Sequence, residues 1–435
     1  MFVEEQGRPA ALLIYKYFLA DAESAASSKG LPGIRMVPES IVSECNVPDE
    51  IEAGVDEVMD RIVDALTRPL SETEKTPTPK DTGKQERVVF KGSLEEVNRF
   101  FYRRGWTDGL PVIPPTEEAV AAMLTGTDLP KDELVAELEP RRGKATVERI
   151  AINALMAGAL PTYMPVLIAG VKALATNPMA DMWAVSTGSW APLWIINGPA
   201  RNDLRVNNSY GVLSPGEMAN STIGRALALI TKNIRGVRRQ IEDMGVLGNP
   251  AKYSTVVAEN EEESPWEPLH VERGLKKEDS AITVWFPHGY QQLNSYGTDD
   301  KGILATITSN IAPGRFGQLG VMMTPVNAQA MAKRGWSKEK IKEFIADNTA
   351  APWNRQSRFY SETAASHSPE EQVRLFTTAA GQPLPIQIFV AGGQGSWTGL
   401  LSGGSTLTTV KIELPANWSG LVAKYANVVP TYARY

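Results

Sequence analysis

Apolar and polar positions alternate along the first 67 residues in a way that predicts a small layered unit. An apolar run, PAALLIY (residues 9–15), precedes a helix-like stretch from Phe18 to Ser28, a second run GIRMV (33–37) and a helix from Ile51 to Leu66. Strand, helix, strand, helix in that order argues for a parallel α/β layer. Two strands leave both edges of a sheet unpaired and cannot cover two faces, so the pattern predicts that strands from another polypeptide complete it. Residues 68–87 are rich in Pro, Thr, Lys and Glu and almost empty of aliphatics, which reads as an extended linker.

From residue 88 to 435 the pattern predicts one large domain. It opens with helix-like SLEEVNRFFYRRG (93–105) and the turn-rich TDGLPVIPPT (107–116), where consecutive prolines forbid a helix. ATVERIAINALMAGAL (145–160) and YMPVLIAGVKALA (163–175) have helical length and spacing, the first with Val147, Ile150, Ala154 and Leu155 on one face. Short β-rich runs follow: WIING (194–198), STVVAE (254–259), AITVWFP (281–287), LATITS (304–309), GVMMTP (320–325) and IQIFVAGG (386–393). Helices are expected at Ser221–Arg235 and Lys338–Asp347. The class is therefore α/β or mixed α+β, a partial parallel unit joined to a larger mixed one, without an internal repeat.

Composition narrows the partners. A chain of 435 residues, 43% hydrophobic and 22% charged, can bury a large core. Its net charge of -6 is spread through interspersed acids and bases, so no basic stripe points to nucleic acid and no polybasic segment to a membrane surface. No run of about 18 apolar residues occurs, and the first residues carry acids where a secretory signal carries bases. A cytoplasmic protein that handles small molecules or other subunits is expected. The single cysteine, Cys45, excludes a disulfide framework or a Cys-x-x-Cys site within this chain, and reads as a plain polar-loop or semi-buried thiol.

The densest chemistry lies in ENEEESPWEPLHVERG (259–274), with six glutamates, a histidine and an arginine. Such a density of costly polar groups between two strands suggests a site, against the plainer alternative of a solvated acidic loop. Glu267 and His270 have the i, i+3 spacing of a helical metal-ligand pair, yet Pro265 and Pro268 interrupt that helix, so no metal is assigned. His270 suits a general acid or base oriented by Glu267 or Glu272, or a structural histidine.

Three further stretches carry weaker signals. Asn220, Ser221 or Thr222 is expected to cap a helix starting near Ile223; with Arg225 close by and Asn207 and Asn208 upstream, that end suits an anion or is a routine cap. Gly392, Gly393 and Gly395 let a backbone approach a ligand, although the spacing is neither a Walker loop nor GxGxxG. Trp106, Thr107 and Asp108 follow a helix and precede a rigid proline segment, where they would line a pocket or simply pack.

TDGLPVIPPT, ATVERIAINALMAG, NGPARNDLRVNN (197–208), NSTIGRAL (220–227) and AENEEESPWEPLHVERG (258–274) together resemble the large C-terminal region of UGSC-type proteins. That family is named for a selenocysteine or cysteine followed by Gly-Ser-Cys. The resemblance spans most of residues 88–404, and Glu4–Val37 is similar to the part of the family's small α/β domain that follows the motif. The motif itself is missing, and Val37-Pro38-Glu39-Ser40 stands where the family favours Val-Pro-His-Pro. The joint expectation is a split enzyme, a hetero-oligomer in which a short companion chain carries a Cys-Gly-Ser-Cys-type motif and docks on residues 1–67.

On this reading the chain is the large subunit of a two-component enzyme for a small carboxylate-bearing substrate. Glu262, Glu267 and His270 are the acid–base candidates. Arg273 and Arg225 would anchor substrate charge, Asn208 would donate hydrogen bonds, and Asp108 and Gly393 would line the site. Likeness to selenoprotein components of glycine-reductase type favours a reductive-cleavage oxidoreductase over a lyase or hydrolase. The alternatives are a metal- or acid–base-dependent lyase or hydrolase within residues 88–435, and a non-catalytic scaffold. No cofactor is assigned.

Overall fold

The computed structural model describes residues 8–31, 33–41, 47–75, 87–295, 297, 299–311, 318–352, 372–374, 384–404 and 406–428. At the N-terminus, strand β1 (Ala11–Tyr15) pairs in parallel with β2 (Arg35–Glu39), Ala11 opposite Arg35 and Tyr15 opposite Glu39. Helix α1 (Leu19–Ser28) connects them, and α2 (Pro48–Thr67) follows. Pro48 occupies the first turn of α2, where a missing N–H costs nothing. The core of this unit is small: Val37, Val58 and Ala65 are its buried apolar side chains. Arg35 ties β2 to the end of α2 by donating to the carbonyls of Ala65 and Arg68, each at 2.7 Å. Thr67 still belongs to the helix, a further helical turn covers Glu72–Lys75, and residues 76–86 of the expected linker, like Cys45, lie outside the described residues.

The larger part begins with α3 (Leu94–Arg103), closed at its start by a capping box between Ser93 and Glu96. Next come α4 (Glu117–Leu124), the hairpin β3 (Leu134–Leu138) and β4 (Gly143–Thr146), α5 (Val147–Met156) and α6 (Met164–Thr176). Then follow β5 (Leu193–Asn197), α7 (Met218–Asn233), β6 (Val256–Ala258), β7 (Ala281–Trp285), β8 (Gly289–Asn294) and α8 (Asp300–Ser309). The remaining main elements are β9 (Leu319–Met323), α9 (Pro325–Lys333), α10 (Lys338–Asp347), β10 (Ile386–Val390), β11 (Trp397–Ser402) and β12 (Thr408–Lys411).

These strands form two four-stranded sheets, β12–β7–β5–β6 and β10–β9–β11–β8, each with one parallel pair and otherwise antiparallel. Side chains alternate between the faces of a strand, and here both faces are covered. Leu193 and Ile195 of β5 pack with Trp285, Met322, Phe389 and Leu401, which join the two sheets. Trp194 and Ile196 turn the other way, onto α5, α6 and α7. On the second sheet Leu319, Val321, Met323, Ile386 and Ile388 face α8, α9 and α10. The result is four layers, helices, sheet, sheet, helices, a mixed α/β fold whose central strands read as largely apolar runs because neither face meets water. Gly320 makes the sheet contact possible, since a Cβ there would stand 2.4 Å from the Trp285 ring.

Two sequence expectations change. LATITS is not a strand: residues 304–309 finish α8, which Asp299 caps by accepting from the Gly302 amide at 2.8 Å. Ile303, Leu304 and Ile307 form its buried face, a helical spacing that outweighs the β-branched content. Helix α7 begins at Met218, before the expected Asn-Ser-Thr cap, and Thr222 bonds back to the Met218 carbonyl at 2.8 Å.

Candidate functional site

The acidic stretch 259–273 leaves the end of β6 where β5, β6 and β10 finish. Glu259 is fully buried. Its carboxylate accepts from Asn197 Nδ2 at 2.6 Å and the Leu269 amide at 2.7 Å, while the neighbouring Asn260 amide donates to Val390 O at 2.7 Å. Burial pushes the Glu259 carboxyl up, against the pull of Lys338 at 3.8 Å. The side chain therefore clamps the first sheet to the second. Glu261 accepts from the Gly198 amide at 2.7 Å and faces Arg201 at 3.2 Å.

The candidate acid–base residues separate from one another. Burial works against the Glu262 carboxylate, but Arg201 at 2.6 Å and Asn202 at 3.1 Å overcome it and hold its pKa below the ordinary value. Glu267 is exposed, and its backbone oxygen receives Lys338 Nζ at 2.7 Å. His270 is 0% exposed on a one-turn helix, Leu269–Glu272, and neither ring nitrogen has a hydrogen-bond partner among the described residues. Pro268 precedes that turn, so Glu267 and His270 do not share a helix. Arg273 donates to Leu407 O at 2.9 Å. Apart from the exposed Glu267 side chain, the loop's charged groups thus engage Arg201, Lys338, Lys342 and backbone of the two sheets.

Asn208 meets the glycine turn at Gly392, not at Gly393. The Asn208 carbonyl accepts from the Gly392 amide at 2.9 Å, and the Tyr210 ring covers Gly393 so closely that a Cβ would stand 2.4 Å from it. The close backbone approach that glycine allows here is made to the protein's own tyrosine.

The large cavity lies at the opposite end, where β5 and β6 start and β7 stops. It encloses about 1090 Å³ between the segments 187–193, 212–215, 246–256 and 287–290 and the first turns of α7. Its walls are mainly apolar, with Leu193, Val212, Leu213, Val256 and Leu401, and its polar groups include Ser189, Ser221, Tyr290 and His288. A large apolar pocket with few polar groups is the usual form of a small-molecule site. The His288 ring meets Trp190 edge-on at 4.3 Å between centroids. Sequence reasoning passed over His288; the available signal was a Pro-His-Gly turn closing a largely apolar strand.

Two expected residues border this groove. Arg225 lines it, but its guanidinium forks onto both Asp108 oxygens at 2.8 and 2.9 Å and donates to Pro111 O at 2.8 Å. Asn220, also in the wall, accepts from the Asn207 amide at 2.7 Å and donates to Val256 O at 2.9 Å, so it positions a loop instead of capping a helix. Among the described residues no three His, Cys, Asp or Glu side chains gather as metal ligands, and no helix is long and apolar enough to cross a membrane. Comparison of the chain with protein-family models, curated proteins and solved structures finds no match.

Proposed function

We propose that this chain is the large, substrate-holding subunit of a two-component enzyme that acts on a small carboxylate-bearing molecule. The observation that carries the reading is the β1–β2 pair: among the described residues each strand pairs only with the other, and Leu12 and Leu13 are 39% and 41% exposed. A parallel sheet is normally buried on both faces, so this one calls for further strands. A hollow of about 500 Å³ also lies beside β2, bordered by α2. The companion would bring the thiol or selenol, since Cys45 alone cannot turn over a disulfide. The likeness of the small domain to selenoprotein components of glycine-reductase type favours reductive cleavage. In this reading the substrate occupies the 1090 Å³ groove, not the acidic loop, whose charged groups hold the sheets together.

Native mass analysis of the complex from its source cells tests this. A short chain with a Cys-Gly-Ser-Cys-type motif bound in fixed ratio is expected. A lone, fully active monomer would overturn it.

His288 in the groove favours one second reading, acid–base chemistry wholly within residues 88–435. Turnover by the chain alone, lost in His288→Gln with folding intact, would establish that reading.

A further inference from the structure

One face of α7 borders two compartments in a row. Ser221 and Arg225 line the large groove; Ala228, Leu229 and Lys232 line a second cleft of about 170 Å³. Spacings of three and four residues set these positions on one side of a helix, and Pro192 and Tyr253 belong to both walls. The two spaces therefore adjoin, one wide and mainly apolar, the other narrow and lined by several charged side chains.

Charges in the narrow end do not balance. Asp108 is held by Arg225 at 2.8 Å, and Asp243 by Lys252 at 2.7 Å. Lys232 and Arg239 also line the cleft, and neither side chain makes a hydrogen bond or ion pair with a described residue. Lys232 is half-buried; burial lowers the pKa of its amine although Asp108 and Asp243 pull the other way. A partly desolvated, unpaired cation is unfavourable until an anion joins it.

We infer that the Lys232–Arg239 cleft anchors the carboxylate of a ligand whose apolar body lies in the adjoining groove. This rests on the groove being the substrate site, and it moves the anchor from Arg225, whose donors are already engaged, to half-buried Lys232 and exposed Arg239, whose side chains make no hydrogen bond with a described residue. A guanidinium and an ammonium together suit one carboxylate. Asp108 and Asp243 on the same walls disfavour a dianionic phosphate.

Calorimetry on the full chain tests the anchor, with 4-phenylbutyrate, its primary amide and inorganic phosphate as probes. The acid is expected to bind about ten-fold more tightly than the amide. Lys232→Met with Arg239→Met should abolish that preference and leave amide binding unchanged, while Lys232→Arg keeps it. Equal binding of acid and amide, a preference that survives the double substitution, tighter binding of phosphate, or no binding of either phenyl probe would each overturn the assignment. The measurement involves neither turnover nor a companion, so the two-component reading can fail without changing it.

Discussion

Arg225 and Asp108, 117 positions apart in sequence, form a two-pronged ion pair between α7 and the turn after α3, with side chains only 17% and 13% exposed. Each was a candidate to bind substrate, and each is instead the other's partner. Breaking one side strands a largely buried charge, which costs about 2–4 kcal/mol. Asp108→Ala and Arg225→Met should each lower Tm by that measure, and the double variant should recover part of the loss in a double-mutant cycle. Strict additivity would show that the pair contributes nothing.

Gly320 and Gly393 predict opposite tolerances. A Cβ at Gly320 meets the fully buried Trp285 ring, so Gly320→Ala should cost about 1–3 kcal/mol. At Gly393 the obstacle is Tyr210, 68% exposed and able to swing outward, so Gly393→Ala should cost less than about 1 kcal/mol. Chemical denaturation of the two variants makes the comparison.

Docking of the N-terminal unit should depend on pH through Asp21. Ser24 of α1 donates to Glu242 at 2.5 Å, and Glu242 is also gripped by Arg141 and Arg238. Burial, and then the charge of Glu242, pushes the Asp21 carboxyl from its ordinary 3.8 up to about 6. A raised acid favours the folded state below its unfolded pKa, and that advantage is lost as pH rises through about 6. Asp21→Asn should therefore raise stability at pH 7.5 and leave it unchanged at pH 3.5. Equal effects at both pH values in thermal melts, or slower hydrogen exchange of α1 in the wild type at pH 7.5, would contradict this.

His270 gives a test of the acidic loop. With both ring nitrogens buried and unpartnered among the described residues, the imidazole carries an unmet polar cost of about 1–3 kcal/mol. His270→Leu should melt at or above the wild-type temperature and keep turnover. Lost turnover in a stable variant would return His270 to the catalytic candidates.

The parallel β1–β2 unit and most large-domain elements were legible because their apolar periods are strong. Lys338–Asp347 forms a helix over the very range expected. LATITS misled because Ile and Thr favour strands locally, whereas the Asp299 cap and the buried Ile303, Leu304 and Ile307 decide for a helix. The acidic loop was conspicuous for its density of carboxylates, but composition could not reveal that Asn197, Arg201 and Lys338 lie ready to meet them.

What the sequence alone determined was the local grammar: which segments are helices or strands, the α/β class and the strand–helix–strand order at the N-terminus. Period and turn chemistry are properties of neighbours in the chain. Only the tertiary structure decided that two sheets stack through Trp285 and Gly320, that Arg225 answers Asp108, and that Lys232 and Arg239 have no hydrogen-bond or ion-pair partner among the described residues. Charge pairing and cavity walls depend on residues brought together from distant positions, and no local pattern encodes which cation an anion will meet.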